Sequence, residues 1–176
     1  MTDKQLNILK IALQLFANEG FHATSTSRIA KEAGVSEGLI FRHFINKEGL
    51  LRAILKQGED EMNTLLAPLF ECRDPKQLIG KIIEIPFNVS REQHNFWRLI
   101  YTLKWQERAY NEISIEPLMT LAKEAFASLG YADPEAEVAF LEMILDGAAT
   151  VILLKDEPCD HQTTLNAIKA KYKLHD

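Results

Sequence analysis

Strand signals are almost missing from this chain: no run alternates apolar and polar residues between Gly-containing two-residue turns. Glycine and proline are scarce, 8 and 6 among 176 residues. With 47% hydrophobic and 26% charged residues, that scarcity excludes a disordered, collagen-like or low-complexity chain. Two cysteines, Cys72 and Cys159, make neither a disulfide framework nor a CxxC metal site; a reducing compartment, the cytoplasm, is expected. Met1–Leu15 lacks a basic region followed by an unbroken apolar one, so no signal peptide is expected. The most apolar stretch, Val138–Leu154, has 17 residues and is interrupted by Glu142 and Asp146, too short and too charged to span a bilayer. Catalytic groupings are missing as well. The histidines, His22, His43, His94, His161 and His175, are scattered, with no HExxH pair and no Gly-rich phosphate loop. Glu59-Asp60-Glu61 reads as a solvated run rather than a metal cluster. The expectation is a protein that is not an enzyme and takes no cofactor and no metal.

Basic charge is also in deficit, with a formal net of -5, which argues weakly against a nucleic-acid partner until the charge is mapped. Residues 1–56 hold Lys4, Lys10, Arg28, Lys31, Arg42, Lys47, Arg52 and Lys56 against five acids, a net of +3. The remaining residues carry a net of -8. A polyanion-facing head on an acidic body has this asymmetry.

What fills the chain is helical periodicity. Leu9, Ala12, Leu13 and Phe16 recur at helical spacing and predict a first helix over about 4–18, stopping near Gly20. Ser25 or Thr24 caps a short helix that ends before Gly34, and Ser36 caps another over 37–44. Asn46 caps a long helix from Lys47 to about Leu66, with Pro68 marking its tail. Asp74-Pro75 starts a helix that must bend or end at Pro86. Further helices are predicted over 90–111, from Pro117 to Leu129-Gly130, from Asp133-Pro134 to about Lys155, and over 162–172. The fold expected is all-α, about nine helices: an N-terminal three-helix head, residues 1–46, and a helical bundle, residues 47–176.

Ala30, Gly34 and Ile40, with Val35 just after the turn, fit a helix-turn-helix. They supply a small residue where the helices cross, a residue tolerant of positive φ, and an inward apolar anchor. Three stretches extend the match: Ile8 to Ser25 with Phe16, Gly20 and Phe21; Ile29-Ala-Lys-Glu-Ala-Gly-Val-Ser36; and Gly38-Leu-Ile-Phe-Arg-His-Phe44 followed by Asn46-Lys47-Glu48. Over about residues 4–56 they resemble the DNA-binding head of tetracycline-repressor (TetR) family regulators. The resemblance implies a homodimeric regulator of repressor type, bound to a pseudo-palindromic double-stranded operator, whose body binds an effector.

In such motifs the second helix enters the major groove by its N-terminal part while the first crosses the backbone. The resemblance thus implies DNA contacts from Thr24, Ser25, Ser36, Glu37, Gly38, Leu39, Phe41, Arg42, His43 and Lys47. Arg42 could fork onto guanine or hold a phosphate; His43 and Lys47 match family phosphate contacts. Three positions depart from the commonest pattern. Glu37 stands where Lys is frequent and repels phosphate unless it accepts from a cytosine amine. Leu39 could read a thymine methyl or only fill space, and Phe41 lacks the hydroxyl of the usual Tyr.

In the body, Met62, Phe87, Phe96, Trp97, Tyr101, Trp105, Met119 and Phe126 could line an effector pocket or simply form core. Helix 133–155 is apolar nearly all round, and with 162–172 it looks like the pair that builds a two-fold four-helix interface in the family. Leu141, Leu145, Ala148, Ala149, Ile152, Leu165 and Ile168 are the interface candidates. The expected function is transcriptional regulation by a DNA-binding protein whose operator affinity follows a small apolar or amphipathic effector; no membrane partner is expected. The alternatives are a TetR-like regulator relieved by a protein partner, and a helical interaction module without DNA binding.

Overall fold

Asp3–Glu19 (α1) begins on a reciprocal cap: Thr2 accepts from the Gln5 N–H while the Gln5 side chain accepts from the Thr2 N–H. In this computed structural model, which describes residues 1–106, 115–154 and 161–174 apart from the side chains of Glu61, Trp105 and Gln106, eight further α-helices follow. They are α2 (Thr26–Ala33), α3 (Glu37–Phe44), α4 (Lys47–Phe70), α5 (Pro75–Glu84), α6 (His94–Gln106), α7 (Glu116–Ser128), α8 (Pro134–Leu154) and α9 (His161–Lys171). One 3₁₀ turn, Ile85–Asn88, lies between α5 and α6. Among the described residues there is no strand, and no helix is long and apolar enough to cross a membrane.

The predicted caps at Asn46, Asp74 and Asp133 accept backbone N–H groups at 2.7–3.1 Å. Two boundaries differ, while the end of α5 at Pro86 is as the sequence requires. α4 runs through Pro68 to Phe70, because a missing N–H removes only one bond so close to the end. The chain turns at Arg91–Gln93, so α6 starts at His94 rather than Ser90. Pro86 ends α5 by tightening the chain into the 3₁₀ turn. The expected helix ends at Asn111 and Lys155, and Cys159, lie outside the described residues.

The chain parts into two compact units within α4, between Asn63 and Thr64. The first holds α1, α2, α3, the start of α4, and α6. α1 packs on both α2 and α6, and α2 on α3. Ile8, Phe16, Ile29, Ile40, Leu50, Leu51 and Leu99 are its fully buried centre, each worth roughly 1.5–3 kcal/mol of burial. Gly58 of α4 lies so close to the Phe96 ring of α6 that a Cβ there would fall 1.9 Å from it.

In the second unit α5 packs against α7 and α9, and α7 against α8. Ile79, Ile82, Ile83, Phe126 and Leu141 are fully buried. Tyr172 stacks obliquely on Phe126, ring centroids 5.6 Å apart, and its buried hydroxyl has no hydrogen-bond partner among the described residues. Burial, then the neighbouring Glu137 and Tyr131, push its pKa from 10.0 up to about 12. An unpartnered buried hydroxyl costs about 1–3 kcal/mol, so Tyr172→Phe is expected to leave stability at pH 7 unchanged or raise it in urea denaturation. A raised phenol pKa means that stability present below pH 10 is lost as pH climbs toward 12. The Phe variant should lose less over that window. A variant less stable at pH 7 by more than 1 kcal/mol would reveal a partner for the hydroxyl.

Candidate nucleic-acid interface

The α2–turn–α3 unit is built as the spacing requires. Ser25 Oγ accepts from Arg28 N at 3.1 Å and starts α2; Gly34 ends it at φ 66°, ψ 34°, a left-handed conformation that costs glycine nothing. The Val35 N–H donates to Ala30 O and closes the turn. Ile40 and Phe44 anchor α3 inward. That leaves Ser36, Gly38, Phe41, Arg42 and His43 exposed, with Glu37 and Leu39 half-buried. Ser36 sits at the N-cap position but makes no side-chain cap bond, a difference from the sequence reading.

Each polar group on this surface is differently engaged. Arg42 has no hydrogen bond or ion pair among the described residues, so its guanidinium is available. His43 Nδ1 accepts from Gln5 Nε2 at 3.1 Å. The Gln5 amide oxygen is already taken by the Thr2 N–H, which leaves the ring proton of the exposed His43 on Nε2. Thr26 Oγ1 donates to Glu37 Oε1 at 2.6 Å, joining the first residues of α2 and α3. Arg28 is held by Glu19 and Glu32.

Thr24 and Lys47 are turned to internal work. Thr24 is buried and its hydroxyl donates to Gly20 O at 2.8 Å. Lys47 Nζ donates to the carbonyls of Phe21, His22 and Thr24 at 2.9, 3.3 and 3.1 Å and lies 4.6 Å from the Phe21 ring centroid. An ammonium has three protons, so this one is saturated by the α1–α2 loop. Gln5 and Thr26 are the residues that sequence reading passed over; the T-x-x-Q spacing at Thr2 was the available sign for the first. Nothing in spacing announces the second.

A family model described as bacterial regulatory proteins, tetR family, matches residues 8–54. The uncharacterized HTH-type transcriptional regulator YvkB of Bacillus subtilis is 46% identical over 59 residues, 34% of this chain and 31% of that protein. Over residues 8–54 the chain is similar to the bacterial tetR-family regulators. The fatty acid metabolism regulator protein of B. subtilis is 29% identical over 93 residues, 52% of this chain and 48% of that one. The chain thus spans about a third to a half of the length of the curated relatives it matches. Two solved structures share the whole fold. The ketosteroid transcriptional regulator KstR2 of Mycobacterium tuberculosis has a TM-score of 0.74 at 19% identity, covering 97% of this chain and 93% of that one. AibR in complex with isovaleryl coenzyme A and operator DNA has 0.70 at 20%, covering 96% and 97%.

The expected pocket residues divide between the units. Met62, Phe96 and Tyr101 are buried and Trp97 half-buried in the first, where Phe96 and Trp97 meet edge to face; Met119 and Phe126 are buried and Phe87 half-buried in the second. The Trp105 side chain lies outside the described residues. Of the interface candidates, Leu141 and Leu165 are already buried within one chain, while Leu145, Ala148, Ala149, Ile152 and Ile168 are half-buried. α8 also exposes Met143 and Leu154, at 71% and 43%.

Proposed function

We propose that this protein is a DNA-binding transcriptional regulator of repressor type: residues 1–46 read operator DNA, and residues 47–176 bind an effector and pair two copies of the chain. The exposed α3 face carries this reading, above all Arg42, whose guanidinium is unpaired among the described residues, and the exposed His43. Ser25, Ser36, Glu37, Gly38, Leu39 and Phe41 complete the DNA-facing set, while Thr24 and Lys47 hold the loop behind it. The uncovered apolar residues of α8 suit a symmetric partner, and two heads would then read half-sites about one helical turn apart. An effector that is apolar or amphipathic agrees with the isovaleryl coenzyme A of AibR and with the fatty acid regulator of B. subtilis. Its binding would shift the population away from the head spacing that fits both half-sites.

The test begins with the purified chain and a pool of randomised duplexes at low salt, with mass measured by light scattering. Two copies per particle and an enriched pseudo-palindrome are expected. Arg42→Ala should weaken binding to that duplex about ten- to a hundred-fold, the scale of one bidentate base contact. Short- and long-chain acyl coenzyme A thioesters are the first compounds to add; release of the duplex by one of them supports the effector class. A single-copy particle that enriches no duplex would end the proposal.

A further inference from the structure

Glu37 is the first residue of α3, at the end that leads a helix-turn-helix into the major groove. A carboxylate there is a problem in electrostatics. Among the described residues no cation pairs with it; Arg28, on the adjoining helix, is taken by Glu19 and Glu32. Brought to a duplex, an uncompensated negative charge is repelled by the phosphates and by every base-edge acceptor. It is nevertheless held in place: Thr26 Oγ1 donates to Oε1 at 2.6 Å in a partly buried contact, a short charge-assisted bond. The hydroxyl uses its only proton, which leaves Oε2 as an open acceptor on a side chain with little freedom to swing away.

From this we infer that Glu37, positioned by Thr26, selects a cytosine in each half-site, an inference that rests on the proposed function. In the major groove only cytosine N4 and adenine N6 offer donors. Adenine sets its N7 acceptor beside the amino group, so a carboxylate gains one hydrogen bond and meets one lone pair. Cytosine has no acceptor beside N4 on its own groove edge. Guanine and thymine present acceptors and are rejected outright. The residue thus works by exclusion as much as by attraction. It lowers affinity for random DNA while sharpening the choice of site.

The experiment selects bound duplexes from a randomised pool with the full-length wild type, Glu37→Ala, Glu37→Gln, Thr26→Ala and Thr26→Ser, each first checked for an unchanged melting transition. The wild type is expected to enrich one invariant C·G pair per half-site. Glu37→Ala should lose about ten- to a hundred-fold of discrimination at that pair alone and bind random DNA more tightly than wild type. Glu37→Gln should move the preference there toward adenine, whose N6 and N7 suit an amide. Thr26→Ala should blunt the cytosine preference and Thr26→Ser retain it; a Thr26→Ala variant as selective as wild type removes the positioning role. A consensus that Glu37→Ala leaves unmoved overturns this inference and leaves the proposed function standing. A wild type that enriches nothing overturns both.

Discussion

Gly49→Ala is expected to destabilise the protein by about 2–3 kcal/mol, within the cost of forcing extra atoms into a packed site. In an ordinary helix interior the same change would stabilise by up to about 1 kcal/mol. The sign reverses because a Cβ on Gly49 would lie 1.8 Å from Phe44 O and 2.9 Å from Phe44 C. These are backbone atoms that cannot swing aside. Phe44 O also accepts from the Asn46 N–H at 2.8 Å, and Asn46 Oδ1 holds the Gly49 N–H at 2.7 Å. The corner between α3 and α4 is therefore closed from both sides, and an added methyl must open it. Gly38→Ala is the matched control: nothing lies within 4 Å of its Cβ position, so it should be neutral or slightly stabilising. Urea denaturation of the two variants checks the pair. Equal stabilities would mean that the corner is looser than described.

Lys47→Met is the second large effect, a loss of about 2–3 kcal/mol. Methionine keeps most of the apolar stem but leaves the carbonyls of Phe21, His22 and Thr24 without their shared donor, and bonds to a charged group are worth about 1.5–3 kcal/mol. The contact with the Phe21 ring goes too. As a phosphate contact, which is how the family pattern reads it, Lys47 would lower the salt dependence of DNA binding by about one unit when removed. Saturated by three carbonyls, it should leave that slope unchanged. Denaturation together with a salt titration separates the two roles, and a slope reduced by one without loss of stability would restore the phosphate contact.

Local rules made the helix ends and the inner face of α3 legible. Ser25, Gly34, Asn46, Asp74 and Asp133 announce helix ends because capping depends on one residue and its immediate neighbours. Ile40 and Phe44 declare the inner face of α3 by period alone. What escaped was set by chain segments distant in sequence. Lys47 meets its carbonyls 23 to 26 residues away and Thr26 meets Glu37 11 residues away, distances at which periodicity says nothing. The aromatics of α6 and α7 were ambiguous for the same reason: Phe96 and Phe126 have the same apolar character whether they face a neighbouring helix or a bound molecule.

Ile45, at the exit of α3, has φ 70° and ψ -53° and is 74% exposed. Together with the Asn46-to-Phe44 bond this is a γ-turn of the rare, strained kind, and a β-branched residue held there costs about 1–3 kcal/mol. Glycine or asparagine would rest there more easily, yet a relaxed pivot would let the reading helix wobble on its stalk. Stiffness at that single link fixes the pitch between α3 and α4, so under the proposed function the sharpness of sequence choice would depend on a side chain that itself reads no base.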